Sequence, residues 1–351
     1  MLAINRTFLA LLVCINVVLC FSLATTVKAS ETEPTPTIKL DKITSVQQNA
    51  EVARLLREER FAELESYARD LISRKARFAD GSWRIYLFIN NLSDPYASDK
   101  NGWKEYIDRL VRWRAAFPDS AISQTALGEG LFDWAVDARG EGYADKVTDE
   151  GWQQFKERLA RAQEVLKQQV KGPDCPMLHT LRFRVAFLLH EPEEVIEKNY
   201  ADARAAEPQF YYNILYRAQF LQPKWGGQPG ELGRLIRKEM AGLDKPDRES
   251  FMARFAGNMV DELTYKGVFT EFPWNTLKPS FEKLVYYYNA PRMHNYYLRF
   301  ACFSEDYEAV LQENKILADK VELVGVWSWG KRTYENCIEK AKTAIVHSSM
   351  K

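Results

Sequence analysis

Residues 139–145 gather the side chains most able to do chemistry: Arg139, Glu141, Tyr143 and Asp145 stand beside Gly140 and Gly142, which free the backbone around them. Arg139 could hold a ligand carboxylate in a two-pronged hydrogen bond. The alternative, and the expected one, is that Arg139 pairs with a neighbouring acid and Tyr143 wedges between helices. Lys224 and Trp225 pose the same choice, because they sit between Pro223 and the pair Gly226 and Gly227. An exposed ring between chain breakers would grip a peptide or glycan, whereas a buried one would fix the angle between adjacent helical hairpins. The second role is expected, since tryptophan is largely buried in most folds.

Other constellations are weaker. Asp145 with Asp149, or Glu150 with Glu157, could serve glycoside hydrolysis if the fold set their carboxyls about 5 or 9 Å apart. Acids at a helix start are more simply partners of its dipole. His179, His190, His294 and His347 have no metal-ligand spacing, and no CxxC, HExxH, GxSxG, Walker or dinucleotide-binding pattern occurs. Gly128 and Gly130 lie inside a helical pattern and read as a packing notch. No cofactor is implied.

The elements that must position these residues follow from composition and periodicity. The chain has 351 residues, 46% hydrophobic and 27% charged, which is globular and suits two domains or one extended array. Removing the leader that carries Arg6 and Lys28 leaves 46 basic against 48 acidic residues, so no electrostatic footprint for nucleic acid is expected. Arg6, the apolar run at residues 8–23 and the small-residue ending Val27, Lys28, Ala29 read as a secretory signal peptide at 1–29. The location is then periplasmic or secreted. The alternative is an inner-membrane anchor at residues 8–27, the one membrane contact expected. Residues 30–45 read as a flexible linker and 46–347 as the folded part. The mature chain keeps Cys175, Cys302 and Cys337; buried free thiols are the expectation, with a Cys302–Cys337 bridge as the alternative an oxidising compartment permits.

Three-four spacing recurs from Ser45 onward. Val52 and Leu55, then Phe61, Leu64, Ala68 and Leu71, make a first hairpin across the charged turn at 57–60. Trp103, Tyr106, Leu110 and Trp113 form the next stripe, with Ser120 capping a return helix through Ile122, Ala126, Trp134 and Ala138. Thr148 opens a helix carrying Trp152, Phe155, Leu159, Ala162 and Leu166, which Gly172, Pro173 and Pro176 close. Pro192 starts the next pair, bearing Ile196, Tyr200 and Ala203, with a return through Tyr211, Leu215 and Ala218. Further pairs follow beyond Trp225: Leu232 and Ile236 with Phe251 and Phe255, then residues 277–303, then Asp306 to a helix ending near Ala344. The prediction is an all-α fold of stacked antiparallel helical hairpins. It takes the form of a tetratricopeptide-like right-handed superhelix or a compact α-solenoid, with two lobes possible about residues 222–230.

Particular residues also carry a family resemblance. These are Phe61 with Leu64 and Glu65; Asp80, Gly81 and Trp83; Trp134 leading to Ala138, Arg139, Gly140, Gly142 and Tyr143; Glu207 with Pro208; and, most specifically, Leu221 through Pro223, Lys224 and Trp225 to Gly227. In these the chain resembles the bacterial proteins grouped as domain of unknown function 4034, over nearly everything after the leader. The resemblance implies a helical-repeat-like fold and no particular activity. The function expected is an exported helical-repeat protein that binds a protein, peptide or envelope component. The alternative is an envelope hydrolase acting on cell-wall glycan through carboxylates near Tyr143.

Overall fold

The computed structural model describes residues 43–92, 102–140, 144–323, 326–327 and 330–349. The leader at 1–29, the tether as far as residue 42, the alternative anchor at 8–27 and Tyr143 lie outside the described residues. Within them the chain is all-α, and its one extended pairing is an antiparallel bridge between Arg77 and Trp83.

The helices are α1 (Ser45–Arg57), α2 (Phe61–Ser73), α3 (Arg84–Asn90), α4 (Gly102–Ala116), α5 (Ala121–Arg139), α6 (Asp149–Lys167), α7 (Pro176–Leu188) and α8 (Glu193–Ala206). They continue as α9 (Tyr212–Phe220), α10 (Glu231–Met240), α11 (Lys245–Glu271), α12 (Trp274–Tyr287), α13 (Pro291–Phe303), α14 (Tyr307–Leu317) and α15 (Gly330–Ser349).

Their ends follow local chemistry. The Thr44 hydroxyl accepts from the Gln47 N–H while the Gln47 side chain accepts from the Thr44 N–H, a capping box that starts α1. With Ile43 buried beside it, this shortens the linker expected at 30–45, because residues 43–45 already belong to the fold. Ser120 caps α5 and Thr148 caps α6, each accepting from backbone N–H groups of its first turn. Pro176 does not close a helix as expected but opens α7, at a position whose N–H would have no helical partner anyway.

Neighbours in sequence pack as hairpins, closest for α5 with α6, α11 with α12, α7 with α8 and α13 with α14. Across these pairs α5 touches α7, α7 touches α9, α9 touches α11 and α11 touches α13, so the odd-numbered helices from α5 to α13 form a continuous layer. α3 lies against α1, α2, α5 and α7, extending that layer's cover. Contacts run on through residues 222–230, where α9 meets both α10 and α11. Gly128 and Gly130 let α5 approach its neighbours. A Cβ at 128 would stand 2.6 Å from Leu166 Cδ2, and one at 130 would stand 2.4 Å from Leu110 Cδ1. The α6 stripe is core from Phe155 through Leu159 and Ala162 to Leu166, with burial of the three larger side chains contributing about 1.5–3 kcal/mol each. Trp152, expected on that stripe, is only half-buried at its N-terminal end.

The thiol expectation is overturned at two positions. Cys302 and Cys337 form a disulfide, with Cα atoms 5.9 Å apart, that ties the end of α13 to α15. Ala301 faces the core, but one residue further is about 100° round the helix, which turns Cys302 toward α15. Cys175 is a free, buried thiol whose pKa burial pushes up to about 11.

Candidate functional site

The residues expected to carry function are spread over separate contacts. Arg139 ends α5, where it is buried; its guanidinium donates to the Gly140 carbonyl at 2.9 Å and lies 5.6 Å from the Trp152 ring. Burial lowers its pKa, a sign of a cation held by packing as much as by charge. Tyr143 is outside the described residues. Lys224 and Trp225 occupy a 3-10 turn, Pro223–Trp225, and both are half-buried. The Trp225 ring stands edge-on to Phe187 of α7 at 5.6 Å and Phe220 of α9 at 6.3 Å, bridging two helices of the odd layer. The acids near Tyr143 are engaged locally: Asp145 faces Lys146 at 3.6 Å, Glu150 accepts from Gln154, and Glu157 accepts from Gln153, both at 2.8 Å.

Two other polar clusters lie along the odd layer. In the first, Arg184 of α7 and Glu129 of α5 form an ion pair at 2.8 Å with both side chains almost fully buried. The Arg184 guanidinium sits 4.1 Å from the Phe132 ring and 4.3 Å from that of Tyr216. The Tyr216 hydroxyl meets that of Tyr86 at 3.1 Å, and Tyr86 stacks on Tyr212 with ring centres 3.6 Å apart. Burial works against the charge on Arg184, but Glu129 together with Tyr216 and Tyr86 outweighs it and holds the guanidinium well above its ordinary pKa. One turn along from Glu129, half-buried Asp133 has no hydrogen-bond partner among the described residues. Burial, reinforced by Glu129 and opposed by Arg184, raises its pKa well above the usual carboxylate range.

The second cluster is built where the turn at 77–83 crosses α9, α11 and α12. Arg77 donates to the Gly81 carbonyl at 2.9 Å and to Asp247 at 2.8 Å, with its guanidinium 4.1 Å from the Trp83 ring. Tyr288 donates to Asp247 at 2.6 Å, Tyr211 to the Gly81 carbonyl at 3.1 Å, and Arg254 to the Asp80 carbonyl at 3.0 Å. Gly81 has φ +80, and a Cβ there would stand 2.4 Å from Arg254 and 2.7 Å from the Tyr288 ring, so the turn admits only glycine.

Next to this fastened turn stand groups that are not used up. The Asp80 carboxylate accepts from the Ser82 N–H at 2.9 Å; Arg292 of α13 makes one long hydrogen bond, 3.4 Å, to the hydroxyl of Tyr296, whose ring centre lies 5.8 Å from its guanidinium. Glu322 follows α14, and its carboxylate accepts no hydrogen bond among the described residues. Burial raises the Glu322 pKa, Arg292 opposes the rise and Asp80 adds to it. The three groups therefore feel one another, yet neither carboxylate makes a direct ion pair with Arg292 among the described residues. All three are half-buried. A guanidinium with spare N–H groups within electrostatic reach of two carboxylates with spare lone pairs suits a ligand that both donates and accepts hydrogen bonds.

Sequence reasoning reached Asp80, Gly81 and Trp83 only through the family resemblance and missed Arg254, Arg292 and Glu322. No local pattern marks those three, since they meet the turn from 174 residues and more along the chain.

Among the described residues no helix is long and apolar enough to cross a membrane, and no group of three His, Cys, Asp or Glu is placed to hold a metal ion. No family model, no curated protein and no solved structure matches this chain.

Proposed function

We propose that the chain is an exported helical-repeat protein that binds a protein, peptide or envelope component at the junction of the 77–83 turn with α11, α12 and α13. The observation that carries this reading is the trio Asp80, Arg292 and Glu322, whose hydrogen-bonding capacity is largely unspent beside a turn held by four polar contacts. A rigid frame next to unsatisfied donors and acceptors is the arrangement that binds without first reorganising. Export is supported by the signal-peptide pattern and by the Cys302–Cys337 bond, which persists in oxidising compartments. Membership of the family of domain of unknown function 4034 is part of the proposal, and three of the residues behind it, Asp80, Gly81 and Trp83, are in the junction's turn.

Crosslinked capture from envelope extract tests the reading. The wild-type chain returns a specific partner and Arg292→Ala loses it; repeated captures with no specific partner contradict the proposal.

One observation favours an envelope hydrolase as the second reading. Glu322, with its raised pKa, stands near a second carboxylate, Asp80, which is the pairing glycoside hydrolysis needs. This relocates the alternative away from the acids near Tyr143. Incubation with peptidoglycan separates the two readings: binding alone gives no products, whereas hydrolysis gives products that Glu322→Gln abolishes.

A further inference from the structure

A cavity of about 310 Å³ opens between α6, α7 and α8, apart from the junction just described. Leu166, Val185 and Ala186 form its apolar wall, and Val195, 39% exposed, stands at its rim. Its polar side is Gln163, Lys167, Arg182, Glu191 and Asn199. Their charges are unequal in what they face. Gln163 donates to Glu191 at 2.7 Å, which satisfies part of that carboxylate. Arg182 donates through Nε to the Leu166 carbonyl at 2.8 Å, which fixes the guanidinium plane; its two terminal nitrogens have no hydrogen bond among the described residues. The acids that act on Arg182 from a distance have partners of their own, Asp174 in His179 at 2.8 Å and Asp202 in Lys198 at 2.5 Å. Burial accordingly lowers the Arg182 pKa more than these acids raise it. Lys167 makes no ion pair among the described residues. The cavity therefore holds two cations against one engaged carboxylate, and one of the cations is a planar fork with free donors.

We propose that this cavity binds a carboxylate carrying a short apolar tail, with the Arg182 terminal nitrogens in a two-pronged bond to the carboxylate and the tail against Leu166, Val185 and Ala186. The fork matches carboxylate geometry, and the volume lies at the small end of ligand pockets, enough for one branched aliphatic side chain and its acid group. A peptide ending in leucine and a short fatty acid share this chemistry.

Calorimetric titration of the purified chain with N-acetyl-Ala-Ala-Leu, with the C-terminal amide of that peptide, and with octanoate tests the assignment. The free-acid peptide or octanoate binds, and which of them does so identifies the source of the acid. The amide binds at least about tenfold more weakly than the acid, because the fork loses its second oxygen. Arg182→Gln weakens acid binding by at least about tenfold, and Arg182→Lys, which keeps charge without the fork, falls between it and wild type. Val195→Glu sets a like charge at the exposed rim and weakens binding without touching the core, so it carries the test if Arg182→Gln fails to fold. Equal binding of acid and amide, wild-type binding by both Arg182→Gln and Val195→Glu, or no binding of either acid at about 10 mM would overturn the proposal.

Discussion

The two polar clusters of the odd layer use the same residue types to opposite ends. Around Arg184 the buried cation is matched: Glu129 neutralises the guanidinium, and the rings of Phe132 and Tyr216 cover it on the way to Tyr86, leaving Asp133 as the one carboxyl there without a hydrogen-bond partner among the described residues. Around the 77–83 turn, Arg77 and Arg254 are spent on Gly81, Asp247 and Asp80, but Arg292, Glu322 and the Asp80 carboxylate are not. The first cluster is a closed core of a hairpin stack. The second is a fastened frame with open valences at its edge. Breaking the closed cluster should therefore cost stability, and breaking the open edge should cost binding with little change in stability.

The largest expected effect is at the closed cluster. Glu129→Ala leaves Arg184 buried without its counter-charge and should destabilise by about 3–5 kcal/mol in urea unfolding. Replacing both partners, Glu129→Leu with Arg184→Met, should recover most of that loss, which distinguishes an uncompensated charge from a simple cavity.

A smaller effect is expected at Trp225, half-buried against Phe187 and Phe220. Trp225→Ala should lower stability by about 2 kcal/mol, less than a fully buried tryptophan would. An unchanged unfolding midpoint together with lost partner capture would instead make Trp225 a gripping residue, and would move the binding surface away from the junction.

Asp133 sharpens the comparison through pH. Its folded pKa lies above its unfolded one, so between the two values the folded chain keeps a proton that the unfolded chain has released. Stability contributed by this group then falls as pH rises through that interval. Asp133→Asn should remove the fall, making the variant more stable than wild type near neutrality by on the order of 1 kcal/mol, with the difference vanishing below about pH 4. Unfolding curves at several pH values read this directly, and a less stable variant at neutral pH would show that the carboxylate is satisfied.

These contrasts also mark what the sequence could and could not reveal. α1, α2, α4, α6 and α8 each bury one face, so Leu64, Ala68 and Leu71, or Phe155, Leu159 and Ala162, stand out against polar neighbours at helical spacing. No helical stripe shows between residue 176 and Pro192, because α7 is buried nearly all round, from Met177 and Leu178 through Phe183 and Arg184 to Leu188. With no polar side there is no stripe to see. α3 was missed for the same reason and because it spans only seven residues. Capping residues Ser120 and Thr148 were legible, since their chemistry acts within one turn. The junction was not, since Gly81, Arg254, Tyr288 and Arg292 are brought together by the stacking of hairpins and not by any spacing along the chain. The disulfide turned on the phase of α13, which assigns neighbouring residues 301 and 302 to different surroundings.

The most direct test of the central claim pairs two readings on one variant. Arg292→Ala should change unfolding free energy by less than about 1 kcal/mol, because its one long contact to Tyr296 contributes little, and should abolish capture of the envelope partner. Wild-type capture by a variant that has lost several kcal/mol of stability would mean that Arg292 holds the fold together and that the open edge of the junction is not where a partner binds.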